Sequence, residues 1–351
     1  MDNRWSTVTA WTLACVAVWL PAAETAGASR DRPNILLIVA DDLNTDLGCY
    51  GHRIVQTPHL DRLARRSMCF HNAYCQSTVC NSSRASIYSG VRSETIGVLD
   101  NETPWPATLD GLSYLPAFFH QLGYFTGTVG KNLDHKRVPE QPFWDVEIRE
   151  WGKYSPTSQV AERAPFYDGA TGSKYWAKLL GPDRSTPDGA VARLAARLIE
   201  GRAFEPEPFF LAVGFRRPHT PYAAPSHYFD LYDVQDMRLP QVSANYANTI
   251  PTAATESSSW YKGTVTPETL LAYYACITYV DAQVGVVIDA VERADLWNST
   301  VVVFISDHGY HTGHHGMWHK DSLFEQTCRV PMLIAAPGMA AGTITEKAPG
   351  P

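Results

Sequence analysis

The sequence predicts an α/β fold: a doubly wound, mostly parallel sheet with helices on both faces. Three observations carry this. Apolar, β-branched runs such as Asn34–Ala40, Phe209–Val213 and Val301–Ile305 have the uninterrupted hydrophobicity of strands covered on both faces. Segments with helical spacing, Leu112–Leu122, Ala190–Leu198 and Leu270–Val291, alternate with them, which favours right-handed βαβ units. Charged and imidazole side chains follow the strand ends, where open α/β sheets hold ligands.

In chain order, residues 1–28 come first and read as a secretory signal peptide. Arg4 precedes the nearly uncharged apolar run Ala10–Ala22, and Ala26-Gly27-Ala28 supplies small residues for cleavage. That run is shorter than the roughly 20 residues a spanning helix needs, and no later segment is read as a membrane span. The expected location is therefore outside the cytoplasm: periplasm or extracellular space, or the lysosome in a eukaryote. Without Cys15, six cysteines remain, Cys49, Cys69, Cys75, Cys80, Cys276 and Cys328, and their irregular spacing assigns no pairing. A formal charge of -7 argues against nucleic-acid partners, which require a broad basic surface. With 45% hydrophobic and 19% charged residues, the chain has enough apolar material for one large domain.

The first strand, Asn34–Ala40, runs into Asp41-Asp42. Adjacent carboxylates behind a buried strand are costly unless a cation or hydrogen bonds compensate them. Leu112–Leu122 then leads through Gly123 into Tyr124–Val129 and Lys131. The helix Ala190–Leu198 precedes the strand Phe209–Val213 and then His219, while Leu270–Val291 returns to Val301–Ile305 and Asp307-His308. Two stretches, Arg137–Pro187 and Ala223–Thr266, lack a clean period and are expected to be insertions around the site entrance, with Trp144, Trp151, Tyr154, Trp176 and Trp260 available to stack on sugar rings. Three carboxylates at two strand ends point to one hard divalent cation, Ca²⁺ first and Mg²⁺ second. His311, His314, His315 and His319 crowd the same segment and keep a zinc reading open.

Between the two strand-end pairs lies Val79-Cys80-Asn81-Ser82-Ser83-Arg84, leading to Gly90. It resembles the signature of the sulfatase family, in which Cys, any residue, Pro, a small residue and Arg open a helix. Further likeness lies in Arg32-Pro33-Asn34, Gly48-Cys49-Tyr50-Gly51 and Thr57-Pro58-His59-Leu60-Asp61-Arg62. The segments Arg217-Pro218-His219-Thr220-Pro221 and Ser306-Asp307-His308-Gly309 are most similar to sulfatases of the iduronate-2-sulfatase and choline-sulfatase type.

The resemblance implies that Cys80 is oxidised to formylglycine (3-oxoalanine) by a formylglycine-installing enzyme, and that its hydrated aldehyde attacks sulfur. A geminal diol, unlike a plain alcohol, can then collapse and release sulfate. It also implies Asp41, Asp42, Asp307, His308 and the modified Cys80 as Ca²⁺ ligands, Arg84 as the residue that orients the diol, and Lys131, His219 and Lys320 as sulfate-binding residues. The implied substrate is a sulfated small molecule or glycan. Two other readings stand beside it: a phosphate or phosphonate monoester hydrolase of the same superfamily, and an inactive protein that binds sulfated glycans. The sequence departs from the family at three points. Ser82 stands where the motif has proline. After Lys131, Asn132-Leu133-Asp134 separate it from His135, the nearest histidine and a candidate catalytic residue. Residues 32–351 read as the catalytic domain, truncated before the usual C-terminal subdomain.

Overall fold

The structure is a computed structural model that describes residues 32–345 apart from 108–110, 112, 134–143, 150–159, 168–173, 204, 244, 256–264 and 341. The expected signal peptide, His135, Trp151, Tyr154 and Trp260 lie outside the described residues. The strands are β1 (Asn34–Asp41), β2 (Met68–Phe70), β3 (Phe125–Gly130), β4 (Val146–Ile148), β5 (Val160–Tyr167), β6 (Lys174–Leu179), β7 (Phe209–Pro218), β8 (Tyr222–Pro225), β9 (Thr300–Ser306), β10 (His311–Thr312), β11 (Trp318–His319), β12 (Met332–Ala335) and β13 (Thr343–Thr345). The helices are α1 (Pro58–Ala64), α2 (Cys80–Ser89), α3 (Ser93–Ile96), α4 (Leu115–Gln121), α5 (Pro187–Arg202), α6 (Ser226–Phe229), α7 (Thr252–Thr255), α8 (Pro267–Arg293) and α9 (Glu325–Cys328).

Eight strands form the main sheet in the order β13-β2-β12-β9-β1-β7-β3-β4. The pairs β9-β1-β7-β3-β4 are all parallel, and β12 alone runs against its neighbours β9 and β2. Strand alternation sorts the side chains onto two faces. Leu36, Ile38 and Ala40 of β1 join Leu211 and Val213 of β7 in a core that includes residues of α1, α5 and α8. Leu37 and Val39 point the other way, with Phe210 and Ala212, onto Ala85 and Tyr88 of α2 and Phe119 of α4. Helices thus cover both faces, as the uniformly apolar strand runs require.

Helix α8 runs through the first of these cores. Thr266 caps it in a capping box with Thr269, and Pro267 at its first turn gives up no hydrogen bond. It is long and apolar enough to cross a membrane, yet 89% of its apolar window is buried inside the fold, so its hydrophobicity serves the core. The stretch Arg137–Pro187 is not wholly irregular: β5 and β6 pair with β8 in a second, three-stranded sheet.

Candidate active site

Four neighbouring parallel strands deliver the candidate residues to their shared carboxyl ends. β9 ends at Asp307-His308, β1 at Asp41-Asp42, β7 leads into His219, and β3 ends just before Lys131. Backbone hydrogen bonds lock these ends together: Asp307 N–H donates to Ala40 O (3.1 Å), His219 N–H to Asp41 O (3.0 Å) and Lys131 N–H to Gly214 O (2.8 Å). Helix α2 brings in Cys80 at its first residue, with Val79 extended before it, so the thiol sits at the positive end of the helix dipole. Gly90, left-handed at φ 69°, ends that helix where the motif places its glycine.

Cys80 Sγ lies 2.8 Å from Lys320 Nζ, 3.3 Å from His308 Nε2 and 3.4 Å from Asp41 Oδ1. Lys320 Nζ also reaches Asp42 Oδ1, and Lys131 Nζ contacts Asp41 Oδ2. Arg84, fully buried, turns its Nε to Asp307 Oδ2 (2.9 Å) and its Nη1 to the carbonyls of Lys131 and Asn132. Its hydrogen bonds therefore go to the carboxylate and backbone around the cluster, and Lys320 and His308 are the basic groups that meet the Cys80 sulfur. The second oxygen of Asp307 accepts the N–H groups of His308 (3.0 Å) and Asp42 (3.2 Å), tying β9 to β1.

The charges explain one another. Burial opposes ionisation of Asp41 and Asp42, but cationic neighbours, Lys131 foremost for Asp41, outweigh it and hold both carboxyls well below the usual range. Burial would likewise lower His308, yet Asp307 and Cys80 reverse the balance and hold it at about 9. For His219 burial wins over the two aspartates, pushing it down to about 3 and keeping the ring neutral. Its Nδ1 faces the Thr220 carbonyl at 2.7 Å, an acceptor only, so the ring proton sits there and Nε2 carries the lone pair. His308 Nδ1 donates to Gly309 O at 2.9 Å.

Asp41, Asp42, Cys80 and His308 each present one ligand atom, all within 4.8 Å of one another. Two carboxylates and an imidazole that gives up its Nε2 proton on binding suit a divalent cation, and Asp307 Oδ1 lies beside them, 3.6 Å from His308 Nε2. The loop histidines form no such group among the described residues. His311 pairs with Ser322, His314 faces Thr312, His315 meets Tyr246 and Gln326, and His319 meets Tyr310.

The family model described as "Sulfatase" matches residues 33–349. The chain belongs to the sulfatase family. It is 33% identical to iduronate 2-sulfatase of Mus musculus over 93% of this chain and 63% of that protein. To choline-sulfatase of Rhizobium meliloti it is 31% identical, over 89% of this chain and 64% of the relative. The sulfatase chain thus spans rather less than two thirds of the curated relatives it matches. Among solved structures, the phosphonate monoester hydrolase of Agrobacterium radiobacter superposes with a TM-score of 0.71 at 24% identity, covering 90% of this chain and 71% of that one. That likeness shows the shared fold, with its mostly parallel central sheet.

Sequence reasoning singled out nine of the residues that meet here and missed several that hold them. Ser83 Oγ donates to Asp307 O, and Ser306 Oγ bridges Ala40 O and His308 O. Asp188 accepts the N–H groups of Arg216 and Arg217, whose side chain in turn grips His219 O, fixing the His219 loop. A carboxylate directly after Pro187 at a helix start was the available signal. Trp144 stacks on Phe210 and Trp176 is buried against Phe229, so both pack the fold. A cavity of about 600 Å³ bounded by Trp176, Lys178, Phe229 and Glu268 holds none of the site residues.

Proposed function

We propose that this sulfatase-family chain hydrolyses sulfate monoesters, with Cys80 converted to formylglycine as nucleophile. The observation that carries the reading is the convergence of Lys320, His308 and Asp41 on Cys80 Sγ at a helix N-terminus. The sulfur marks where the carbon-bound hydroxyls of the hydrated aldehyde would stand. Asp41, Asp42, His308, Asp307 and the modified Cys80 would hold one divalent cation, Ca²⁺ by the hardness of its oxygen ligands. Bound there, it would draw charge from the ester oxygens and favour the ionised diol.

The remaining steps fall to the chain's own residues. One diol hydroxyl attacks sulfur while its proton passes to the His219 Nε2 lone pair. The S–O bond to the alcohol breaks and that proton is returned to the leaving oxygen. Lys131 and Lys320 neutralise the sulfate oxygens as charge shifts onto them. The second hydroxyl then gives its proton to the departing sulfate as the C–O bond to that group breaks, and the aldehyde re-forms for hydration. Arg84 keeps Asp307 and the Lys131 carbonyl in place. A sulfated saccharide is the favoured substrate, supported by likeness to an enzyme named for iduronate. Export to an oxidising compartment, with the N-terminal segment as signal, completes the proposal.

Mass spectrometry of the Cys80 peptide from protein made in its own host, together with hydrolysis of sulfate and phosphate esters at equal concentration, tests it. The expected result is formylglycine at Cys80 and preferential release of sulfate. Converted protein that prefers phosphate esters, or hydrolyses neither, refutes the proposal. Cys80 remaining wholly a thiol, with sulfated glycans bound but intact, would instead establish a binding protein.

A further inference from the structure

Two turns at the site adopt backbone that non-glycine residues avoid. Asp42 sits at φ 65°, and His319 and Asp321, on either side of Lys320, sit at φ 84° and 66°. Such conformations persist only where surrounding contacts over-determine them. The contacts come from buried tyrosines outside the cluster itself.

Tyr273, in the second turn of α8 and fully buried, donates its hydroxyl to Asp42 O at 2.7 Å and accepts the Asn44 N–H at 3.1 Å. One hydroxyl thus closes the turn that aims the Asp42 carboxylate. The Tyr310 ring stacks on Tyr273 with centroids 5.2 Å apart and 15° between planes. Its hydroxyl lies 2.5 Å from His319 Nδ1 and 2.6 Å from the Tyr222 hydroxyl, which accepts the Trp318 indole N–H at 3.0 Å. The indole is donor only, and protons running from Trp318 to Tyr222, Tyr310 and His319 satisfy each of these contacts.

We propose that Tyr273 and Tyr310 are a coupled pair of positioning residues, Tyr273 setting the Asp42 turn and Tyr310 setting the His319-Lys320 turn. A buried tyrosine is ordinarily packing, and phenylalanine would fill the same volume. Here the hydroxyls carry the argument, because each ends on the backbone or side chain of a strained turn. The stacked rings join the two turns, so the carboxylate and the ammonium that meet at 2.5 Å are held from behind by one aromatic unit. The kinetic part of this inference rests on the function proposed above; the structural part does not.

The test uses the full chain with Tyr273→Phe, Tyr310→Phe and, as control, Tyr274→Phe, whose hydroxyl meets His52 away from the site. Tyr273→Phe should stay folded with a lowered unfolding midpoint, exchange amide hydrogens faster around Asp42–Asn44 in metal-free protein, and bind Ca²⁺ about tenfold more weakly, because the Asp42 carbonyl and the Asn44 N–H both lose their partner. Tyr310→Phe should leave Ca²⁺ affinity within about twofold and raise KM for a sulfate ester about tenfold. Wild-type exchange and Ca²⁺ affinity in Tyr273→Phe, or a wild-type KM in Tyr310→Phe, overturns the proposal. So does an equal loss in Tyr274→Phe, which would assign the effect to general loosening of α8. Should the proposed activity itself be wrong, no variant turns over sulfate esters, wild type included, while the exchange measurement still decides the role of Tyr273.

Discussion

Cys80 and Ser82 sit two residues apart on the first turn of α2 and pose different problems. The Cys80 thiol meets three site groups and caps no core, so Cys80→Ala should abolish sulfate-ester turnover. Its unfolding midpoint should stay within a degree or two, because only one sulfur is removed. Activity in that variant would move the nucleophile elsewhere. Ser82 is fully buried, and its hydroxyl has no hydrogen-bond partner among the described residues. The first hydrogen bond within α2 is donated by Ser83 to Val79, so proline at Ser82 forfeits no bond of that helix. Ser82→Pro should therefore stabilise the protein by about 1 kcal/mol, since it removes an unsatisfied buried hydroxyl. It should also raise the fraction of Cys80 found as formylglycine by mass spectrometry, because it restores the family motif. A lower unfolding midpoint would show that the backbone at Ser82 cannot accept the ring.

At the scale of elements, the site depends on how closely β3 and β7 finish. Gly214 faces the Lys131 carbonyl so tightly that a methyl group would collide with it, and Gly130, at φ 82°, meets the Gly214 carbonyl in the same way. Gly214→Ala should push the Lys131 turn away from Asp41 and reduce kcat/KM at least tenfold, with a stability loss of about 1–3 kcal/mol from overpacking. Retained activity would show that Lys131 needs no such placement. These strands were legible in the sequence because burial on both faces leaves an unbroken apolar run, and the runs from Asn34 and Thr300 end where the acids begin. The sheet of β5, β6 and β8 was not legible. Its β6 and β8 are four to six residues long, and β5 carries charge and proline in Glu162, Arg163 and Pro165, so neither period emerges. Tyr273 was hidden for another reason: in a helix buried on nearly every side, a functional hydroxyl has the same sequence context as core packing.

For the whole molecule, acid should be the sensitive limb of the stability curve. His311 is fully buried and its titration is pushed down to about 3, by burial first and then by His315 and His314. Unfolded, the ring titrates near 6.5. Between those values the unfolded chain binds a proton that the folded chain refuses, so stability falls as pH falls, by up to about 1.4 kcal/mol per pH unit from this group. Above about 6.5 the contribution is constant. His311→Gln should shorten the acid limb measured by urea unfolding at pH 4–7, and an unchanged limb would mean that His311 is protonated in the native protein. Most of the site cluster could be named from the sequence because each member follows a strand or opens a helix in a recognisable segment. The arrangement among them could not, since it depends on strand order: that Arg84 reaches the Asp307 carboxylate follows from where β9 lies beside β1.

Asp41, Lys131, His219 and Asp307 stand on adjacent strands yet lie about 90 residues apart along the chain. Contacts between such distant segments are slow to form, because each closes a long loop before it gains any stabilising partner. Helices such as α8 can form early from local contacts, whereas the cluster requires β9, β1, β7 and β3 to be in register together. On refolding, far-UV ellipticity should therefore recover before divalent-cation binding does. A protein cut between any two of these strands would retain much of its secondary structure and none of its site.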